Sequence, residues 1–181
     1  MIITLTKFED VLIFSPTVHR DDRGFFLESF NKEIQDAIPD ELVQDNHSLS
    51  KKNVFRGLHY QWDKPMGKLV RVVYGSGLDF IVDIRKDSKT YGQYITVPLS
   101  DQNFNIVWVP GHYAHGFLSL QDNTQLTYKT SAYYNSQADG CINPLSAELN
   151  LKFPIDNLDV ILSDKDKQAQ SFTEYKQNPK F

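Results

Sequence analysis

Short runs of β-branched and aromatic residues, separated by turn residues at intervals of roughly ten positions, dominate the sequence. The runs are VLIFSP (11–16), GFFLESF (24–30), LVQDNHSLS (42–50), NVFRGLHYQ (53–61), KLVRVVYG (68–75), LDFIVDIRK (78–86), YGQYITVPLS (91–100), FNIVWVP (104–110), AHGFLSL (114–120) and TQLTYKTSAYY (124–134). The gaps between them are too short for the helix that usually joins parallel strands. This spacing predicts an all-β protein, and a double-sheet jelly roll is the natural arrangement because it protects most strand edges.

Two stretches depart from the strand pattern. NKEIQDAI (31–38) predicts a short helix that begins after Asn31 as its N-cap and ends near Pro39. From about Ser163 the chain becomes polar, which indicates a further helix and a tail. No internal repeat or low-complexity linker divides the chain, so we expect residues 1–181 to form a single domain.

Composition narrows the possible partners. The chain carries a formal net charge of −4, so it has no general basic field to attract nucleic acid or an anionic membrane. The N-terminal MIITLTKFEDV lacks the basic flank and apolar region of a signal peptide, and no run approaches the ~20 apolar residues of a membrane helix. The single cysteine, Cys141, can form neither an internal disulfide nor a CxxC metal site. We therefore expect a cytoplasmic protein.

Alternation along three strands directs polar side chains inward. In KLVRVVYG, Lys68 shares a face with two valines, and in TQLTYKTSAYY, Tyr128 and Tyr134 share a face with apolar neighbours. In FRGLHYQ, strict alternation places His59 on the face opposite Arg56, unless a bulge shifts the register. A lysine, a histidine and two tyrosines directed into one interior are costly unless that interior is a polar pocket.

The histidines leave two kinds of chemistry open. A metal site would use His59, His112 and His115, but their spacing gives no clear convergent pair, so we expect no metal. A base is the other interpretation, because imidazole has a pKa of ~6.5 and works best beside a carboxylate that orients it. The sequence offers many carboxylates without selecting one. For His19 and His47 we expect only hydrogen-bonded positions in strands or loops.

Two basic residues, Arg56 and Lys68, interrupt apolar strands, where a solvated surface charge is a weaker explanation. Arginine matches phosphate oxygens with its planar fork, and lysine holds an oxyanion as a point charge. The chain has no Walker loop, and residues 75–80 break the dinucleotide-binding fingerprint at its third glycine. Any phosphate would therefore be held by side chains.

Eight motifs follow one another between about residue 8 and about residue 170: DDRGFFLESF, VQDNHSLS, VFRGLHYQ, GKLVRVVYG, VDIRKDSKTYGQ, AHGFLSL, YKTSAYY and LSDKD. Together they resemble the dTDP-4-dehydrorhamnose 3,5-epimerase family. The resemblance implies a cupin-like jelly roll, or double-stranded β-helix, with a few short helices, which forms a homodimer and needs no metal or cofactor. It implies an isomerase that inverts C3 and C5 of dTDP-4-dehydro-6-deoxy-D-glucose to give dTDP-4-dehydro-L-rhamnose, for the synthesis of O-antigen and other cell-surface polysaccharides.

The same resemblance implies four catalytic residues. His59, in RGLHYQ, matches the base of the family, and Asp166, in LSDKD, matches the carboxylate that pairs with it. Tyr128 matches the acid that returns a proton from the other side of the sugar ring. Lys68 matches the lysine near the C4 oxygen, where it would stabilise the enolate.

The matched substrate-binding residues are Arg23, Phe26, Glu28, Gln44, Asn46, Arg56, His115, Tyr134 and Lys165. The resemblance places the first three against the nucleotide, often from the partner subunit, and the next two near the sugar and nucleotide. It places Arg56 and Lys165 at the diphosphate, His115 along the site and Tyr134 near the base. These side chains would let a chain of net charge −4 hold a dianionic ligand.

Two departures from the family pattern concern the rim of the pocket. CINPLSAELNLKF stands where the family often has a tryptophan-containing stretch, and His112-Tyr113 replaces a commoner Gly-Phe-like pair. Two alternatives therefore stay open for the substrate: an epimerase that inverts C3 alone, and an epimerase for another nucleotide-linked 4-keto sugar. Two alternatives from other classes also stay open: a metal-dependent cupin oxygenase, and a sugar-binding jelly roll without catalysis.

Overall fold

The structure is a computed structural model that describes residues 1–156 and 159–181. In this part of the chain the strands are β1 (Ile2–Leu5), β2 (Leu12–Ser15), β3 (His19–Asp21), β4 (Gly24–Phe26), β5 (Gln44–Ser50), β6 (Phe55–Gln61), β7 (Lys68–Tyr74), β8 (Ser76–Asp83), β9 (Tyr94–Ser100), β10 (Ile106–Val109), β11 (Tyr113–Ser119), β12 (Thr124–Thr130) and β13 (Asp139–Cys141). The helices are α1 (Lys32–Ala37), α2 (Asp164–Lys167) and α3 (Phe172–Gln177). The prediction of an all-β protein with a few short helices is confirmed.

Two antiparallel sheets form the body of the protein. One has six strands in the order β1-β2-β10-β7-β12-β5, and the other has five in the order β13-β6-β11-β8-β9. Strands β3 and β4 form a separate hairpin. Apart from the pairs β1-β2 and β8-β9, neighbours in each sheet come from distant parts of the chain, as in a jelly roll.

Three apolar clusters hold these layers together. The cluster between the sheets contains Phe8, Val11, Val70, Val72, Ile81, Val97, Leu99, Val107, Val109, Tyr113, Phe117 and Leu126. On the outer face of the six-stranded sheet, α1 packs through Ile34 against Trp108 and its neighbours. On the outer face of the five-stranded sheet, α3 packs through Phe172 and Tyr175 against Tyr60 and Phe80. Apolar side chains therefore fill part of the space between the sheets, and any polar site between the sheets lies in the remaining part.

The two predicted helical stretches form as helices. Asn31 caps α1, since its side-chain oxygen accepts a hydrogen bond from the Ile34 backbone N–H at 3.1 Å. The polar C-terminal stretch forms α2 and α3 and is more than a tail, because α3 carries a capping box of Ser171 and Glu174 and buries an apolar face on the sheet. None of the helices in the described residues has the length and apolar character that crossing a bilayer requires.

Two strand predictions were wrong in extent, and three strands were missed. Strand β12 ends at Thr130, so Tyr134 is not part of that strand; its side chain is 59% exposed but still lines a cavity together with Lys68, His59 and Tyr128, as predicted. Beyond Thr130 the ladder stops, so alternation no longer places side chains. The run 24–30 is a strand only to Phe26, and the short strands β1, β3 and β13 had no recognised pattern.

A bulge in β6 corrects the predicted direction of Arg56. His59 pairs with His115 of β11, but Arg56 pairs with Phe117, so three steps along β6 face two along β11. Gly57 lies in this bulge at φ +134°, and a Cβ there would stand 2.5 Å from the backbone of β11. The extra residue brings Arg56 to the same side of the sheet as His59, where strict alternation had separated them.

Candidate active site

Two cavities meet between the sheets. The main cavity has a volume of about 480 Å³ and is lined by Ser48, Val54, Phe55, Arg56, His59, Lys68, His115, Phe117, Leu126, Tyr128, Ile161, Leu162, Ser163, Lys165 and Asp166. The side cavity has about 290 Å³ and is lined by Gln44, Asn46, His59, Tyr60, Gln61, Met66, Lys68, Tyr128, Tyr134, Asp139 and Lys165. The two cavities share four polar residues that the sequence singled out: His59, Lys68, Tyr128 and Lys165.

A histidine–carboxylate pair lies in the main cavity. His59 Nε2 is 2.7 Å from Oδ1 of Asp166, whose side chain is almost completely buried. Just before α2 the chain is fixed to β6, because the Phe55 backbone N–H donates a hydrogen bond to the Ile161 carbonyl at 2.9 Å. Ser163 then caps α2. The Ser163 hydroxyl also donates to Asp166 Oδ2 at 2.8 Å.

These contacts set the charge state of the pair. Burial by itself would raise the pKa of Asp166, but the hydrogen bonds from His59 and Ser163 outweigh it and hold that pKa below its ordinary value. Asp166 is therefore a carboxylate at neutral pH. A neutral His59 that donates its Nε2–H to this carboxylate keeps a lone pair on Nδ1, which is what a base requires.

A second buried pair lies beside the first. His115 Nε2 is 2.7 Å from Asp79 Oδ1, and both residues are buried. Burial raises the pKa of Asp79, and His115 partly offsets that effect. Within the described residues, Asp79 Oδ2 has no hydrogen-bond partner. Asp79 was not among the predicted site residues, although an acidic residue inside the apolar run LDFIVD is a recognisable signal.

Lys68 and Tyr128 reach the main cavity from the opposite sheet. Burial lowers the pKa of Lys68 to about 8, an effect that the nearby negative charges of Asp79 and Asp139 partly offset. Burial also raises the pKa of Tyr128, and the charge of Arg56 partly offsets the rise. At neutral pH the site therefore contains a mostly protonated lysine and a protonated phenol. They belong to the six-stranded sheet, whereas the His59 pair lies against the five-stranded sheet.

Polar side chains also line the side cavity. Gln44 Nε2 donates to Asn46 Oδ1 at 2.9 Å, and the Tyr134 hydroxyl donates to Asp139 Oδ2 at 2.9 Å. Lys165 forms an ion pair with the same carboxylate of Asp139. Asp139 was not among the predicted residues, and it lies on the short strand β13 that the sequence pattern did not indicate.

Arg56 is already oriented by its neighbours. Its Nε donates to the Ser50 hydroxyl at 3.0 Å, and its Nη2 donates to the Leu49 carbonyl at 3.1 Å. Both partners belong to the end of β5, at the edge of the six-stranded sheet. The guanidinium therefore bridges the two sheets at the main cavity.

Three predicted binding residues are not brought to either cavity. Arg23, Phe26 and Glu28 lie on the β3–β4 hairpin and just after it, outside the described lining of both cavities. The Arg23 side chain is 90% exposed, and its Nη2 is 2.6 Å from Oδ2 of Asp21. Their predicted contact with a nucleotide remains a prediction.

The three histidines of the metal interpretation bind three different carboxylates. His112 Nε2 is 2.7 Å from Asp10 Oδ2, whereas His59 and His115 pair with Asp166 and Asp79. Within residues 1–156 and 159–181, the possible metal ligands that come within 4.8 Å of one another are His59, Cys141 and Asp166. This set shares only His59 with the one considered from the sequence.

The sequence model of the dTDP-4-dehydrorhamnose 3,5-epimerase family matches residues 5–174. The chain belongs to this family. The epimerase of that name from Shigella flexneri is 44% identical over 178 residues, which cover 96% of this chain and 97% of the relative. The family is one of isomerases, so the predicted family and enzyme class are confirmed, and the oxygenase alternative loses its basis.

Solved structures of this epimerase family share the fold. The epimerase from Legionella pneumophila, in complex with dTDP-4-keto-L-rhamnose, superposes with a TM-score of 0.90 at 39% identity and covers 94% of this chain and 92% of its own. A 3′-monoepimerase from Streptomyces bikiniensis, in complex with dTDP-quinovose, gives a TM-score of 0.90 at 30% identity, with 96% and 89% coverage. The predicted cupin-like jelly roll is confirmed.

Proposed function

We propose that this epimerase inverts C3 and C5 of dTDP-4-dehydro-6-deoxy-D-glucose and so produces dTDP-4-dehydro-L-rhamnose. One observation carries the proposal: a His59–Asp166 pair faces Lys68 and Tyr128 across one cavity. The complex of the Legionella relative with dTDP-4-keto-L-rhamnose supports the choice of ligand.

The first step is removal of a carbon-bound proton by His59. The C4 carbonyl acidifies the hydrogens at C3 and C5, because the electron pair left on carbon delocalises onto the C4 oxygen as an enolate. Nδ1 of His59 takes the proton, and the carboxylate of Asp166 stabilises the imidazolium that forms. Because Asp166 has a lowered pKa, it supplies this charge throughout the neutral range.

Lys68 and Tyr128 complete the inversion. The ammonium of Lys68 donates a hydrogen bond to the C4 oxygen, where negative charge develops. The phenol of Tyr128 then gives its proton to the same carbon from the opposite face of the ring, which inverts the centre. Solvent reprotonates the tyrosinate and removes the proton from His59, so the cycle can repeat at the second carbon.

Binding of the nucleotide follows from the charged and aromatic rim. Arg56 and Lys165 would hold the diphosphate, Gln44 and Asn46 would contact the sugar and nucleotide, and Tyr134 would lie near the base. The exposed hairpin with Arg23, Phe26 and Glu28 would reach the nucleotide bound to a partner subunit. The protein would therefore act as a homodimer. We also propose that residues 1–181 act as one cytoplasmic domain, without a metal or organic cofactor in the reaction.

The test is mass spectrometry of the dTDP-linked 4-keto sugar after incubation with the protein in deuterated water. We expect uptake of deuterium at both C3 and C5, and its loss in His59→Asn. His47→Asn is the matched control, since His47 is hydrogen-bonded to Gln125 and lies outside both cavities. Uptake at C3 alone would place the chain with the monoepimerases, and full activity in His59→Asn would refute the assigned base.

A further inference from the structure

We infer that His59, Cys141 and Asp166 form a binding site for a thiophilic divalent cation such as Zn²⁺, and that this cation inhibits the enzyme by occupying its base. The proposed reaction uses His59 and Asp166 but has no role for Cys141. The sulfur nevertheless lies beside the pair, as part of the three-residue group of possible ligands.

Strand pairing brings the three ligands together. Strand β13 runs antiparallel to β6, and Cys141 is the direct partner of His59 in that ladder. Oδ1 of Asp166 stands 2.7 Å from His59 Nε2 and 3.4 Å from Cys141 Sγ. One carboxylate oxygen is thus already in contact with both the nitrogen and the sulfur.

The two spacings from Asp166 Oδ1 can be compared with those of tetrahedral zinc. Zinc bonds of ~2.0–2.3 Å to N, O and S imply roughly 3.3–3.7 Å between neighbouring ligand atoms. The distance from Cys141 Sγ to Asp166 Oδ1 already falls in this range, at 3.4 Å. His59 and Asp166 would have to separate by about half an ångström, as the cation replaces the proton between them. His59 and Asp166 line the main cavity, so a water molecule from it is the expected fourth ligand.

The ligand types select the cation. Thiolate and imidazole favour Zn²⁺ and similar ions, whereas Mg²⁺ prefers oxygen ligands and retains its waters. Burial and the neighbouring Asp166 raise the pKa of the Cys141 thiol, so the free enzyme holds a thiol at neutral pH. A cation must displace that proton, and its binding therefore releases protons and strengthens as the pH rises.

A cation bound to His59, Cys141 and Asp166 would abolish base catalysis, because it changes which nitrogen of His59 carries the proton. A neutral imidazole has one N–H and one lone pair. If the cation takes the lone pair of Nε2, the proton moves to Nδ1, which then cannot accept a proton from carbon. The cation would also neutralise the carboxylate that stabilises the imidazolium.

Titration with Co²⁺ tests the site directly, because Cys141 is the only cysteine in the 181 residues. A thiolate-to-cobalt absorption band at one equivalent per chain must therefore arise from Cys141. We expect the band in the wild-type protein and its loss in Cys141→Ser. A wild-type protein that develops no such band would overturn the site.

Turnover tests the inhibition separately. We expect Zn²⁺ to inhibit the wild-type enzyme and a chelator to restore it, with sensitivity at least about tenfold lower in Cys141→Ser. The serine hydroxyl can still donate to Asp166, so this variant should turn over substrate at the wild-type rate, which also shows that it folds. Mg²⁺ is the control for inhibition that arises only because a cation binds the diphosphate of the substrate.

Equal inhibition of both proteins by Zn²⁺ would overturn the role of Cys141. A cobalt band without inhibition would instead contradict the assignment of His59 as the base, so the two failures are distinguishable. Zn²⁺ sensitivity that requires Cys141 would support both.

Discussion

The protonation of Lys68 should set the upper pH limit of the reaction. Its ammonium is useful only while protonated, because it donates a hydrogen bond to the developing enolate oxygen. Burial lowers its pKa from the ordinary value of 10.5 to about 8, so this group titrates close to the working range of the enzyme. We expect kcat/KM to fall about tenfold per pH unit above pH 8, since kcat/KM reports ionisation in the free enzyme.

The lowered pKa of Lys68 gives the free-energy cost of its charge in the cavity. The difference between 10.5 and about 8 corresponds to about 3 kcal/mol of unfavourable free energy for holding the charge in the cavity. The carboxylate of Asp79 partly offsets this effect, so Asp79→Asn should move the basic limb to lower pH. A bound diphosphate adds negative charge, so the limb of kcat should lie at higher pH than the limb of kcat/KM.

Lys68→Arg provides the decisive comparison. A guanidinium stays charged to above pH ~12, so the basic limb near pH 8 should disappear, although the altered geometry lowers the maximal rate. Lys68→Met should lower kcat by about 10²–10³-fold. Lys129→Arg is the matched control, because Lys129 lies on β12 outside both cavities and pairs with Asp45 at 2.7 Å. An unchanged limb in Lys68→Arg would show that another group controls it.

Four further predictions follow from the site and the fold. Asp166→Asn should lower kcat by about 10²–10⁴-fold while leaving the affinity for dTDP unchanged, as checked by steady-state kinetics and calorimetry. Tyr128→Phe should still exchange solvent deuterium through His59 but yield little inverted product, and NMR of the sugar would distinguish the two. Gly57→Ala should lower the free energy of unfolding by about 3 kcal/mol or more, measured in urea, because its Cβ would meet backbone; Gly24→Ala, with a similar φ of +132° and nothing within 4 Å, should cost only the strain. Asp83→Asn should destabilise the protein by about 2 kcal/mol at pH 7, because hydrogen bonds outweigh burial and hold the Asp83 pKa at about 2; this contribution is present above pH ~4 and should vanish as the pH falls through 2 in thermal melts.

Local patterns in the sequence predicted most of the secondary structure. Alternation and turn residues identified most strands, and Asn31 identified the start of α1, because those signals depend on neighbours in the chain. The resemblance to a known family, carried by eight motifs, named His59, Lys68, Tyr128 and Asp166, which the structure brings to one cavity.

Long-range pairing decided what the patterns could not. The bulge at Gly57 turned Arg56 toward the cavity against strict alternation, and β12 ended before Tyr134, which lines the side cavity from outside the strand. A bulge inserts a single residue, and that residue reverses the direction of every side chain beyond it.

The partners of the polar residues also depend on contacts between distant segments. Asp79 with His115, Asp139 with Lys165 and Cys141 with Asp166 are 25 to 36 residues apart in the chain. The sequence gives the chemical type of each of these side chains, because that type depends only on the residue at one position. Their proximity arises only when sheets and C-terminal helices pack, because the free energy of that packing is a sum over contacts that no local window contains.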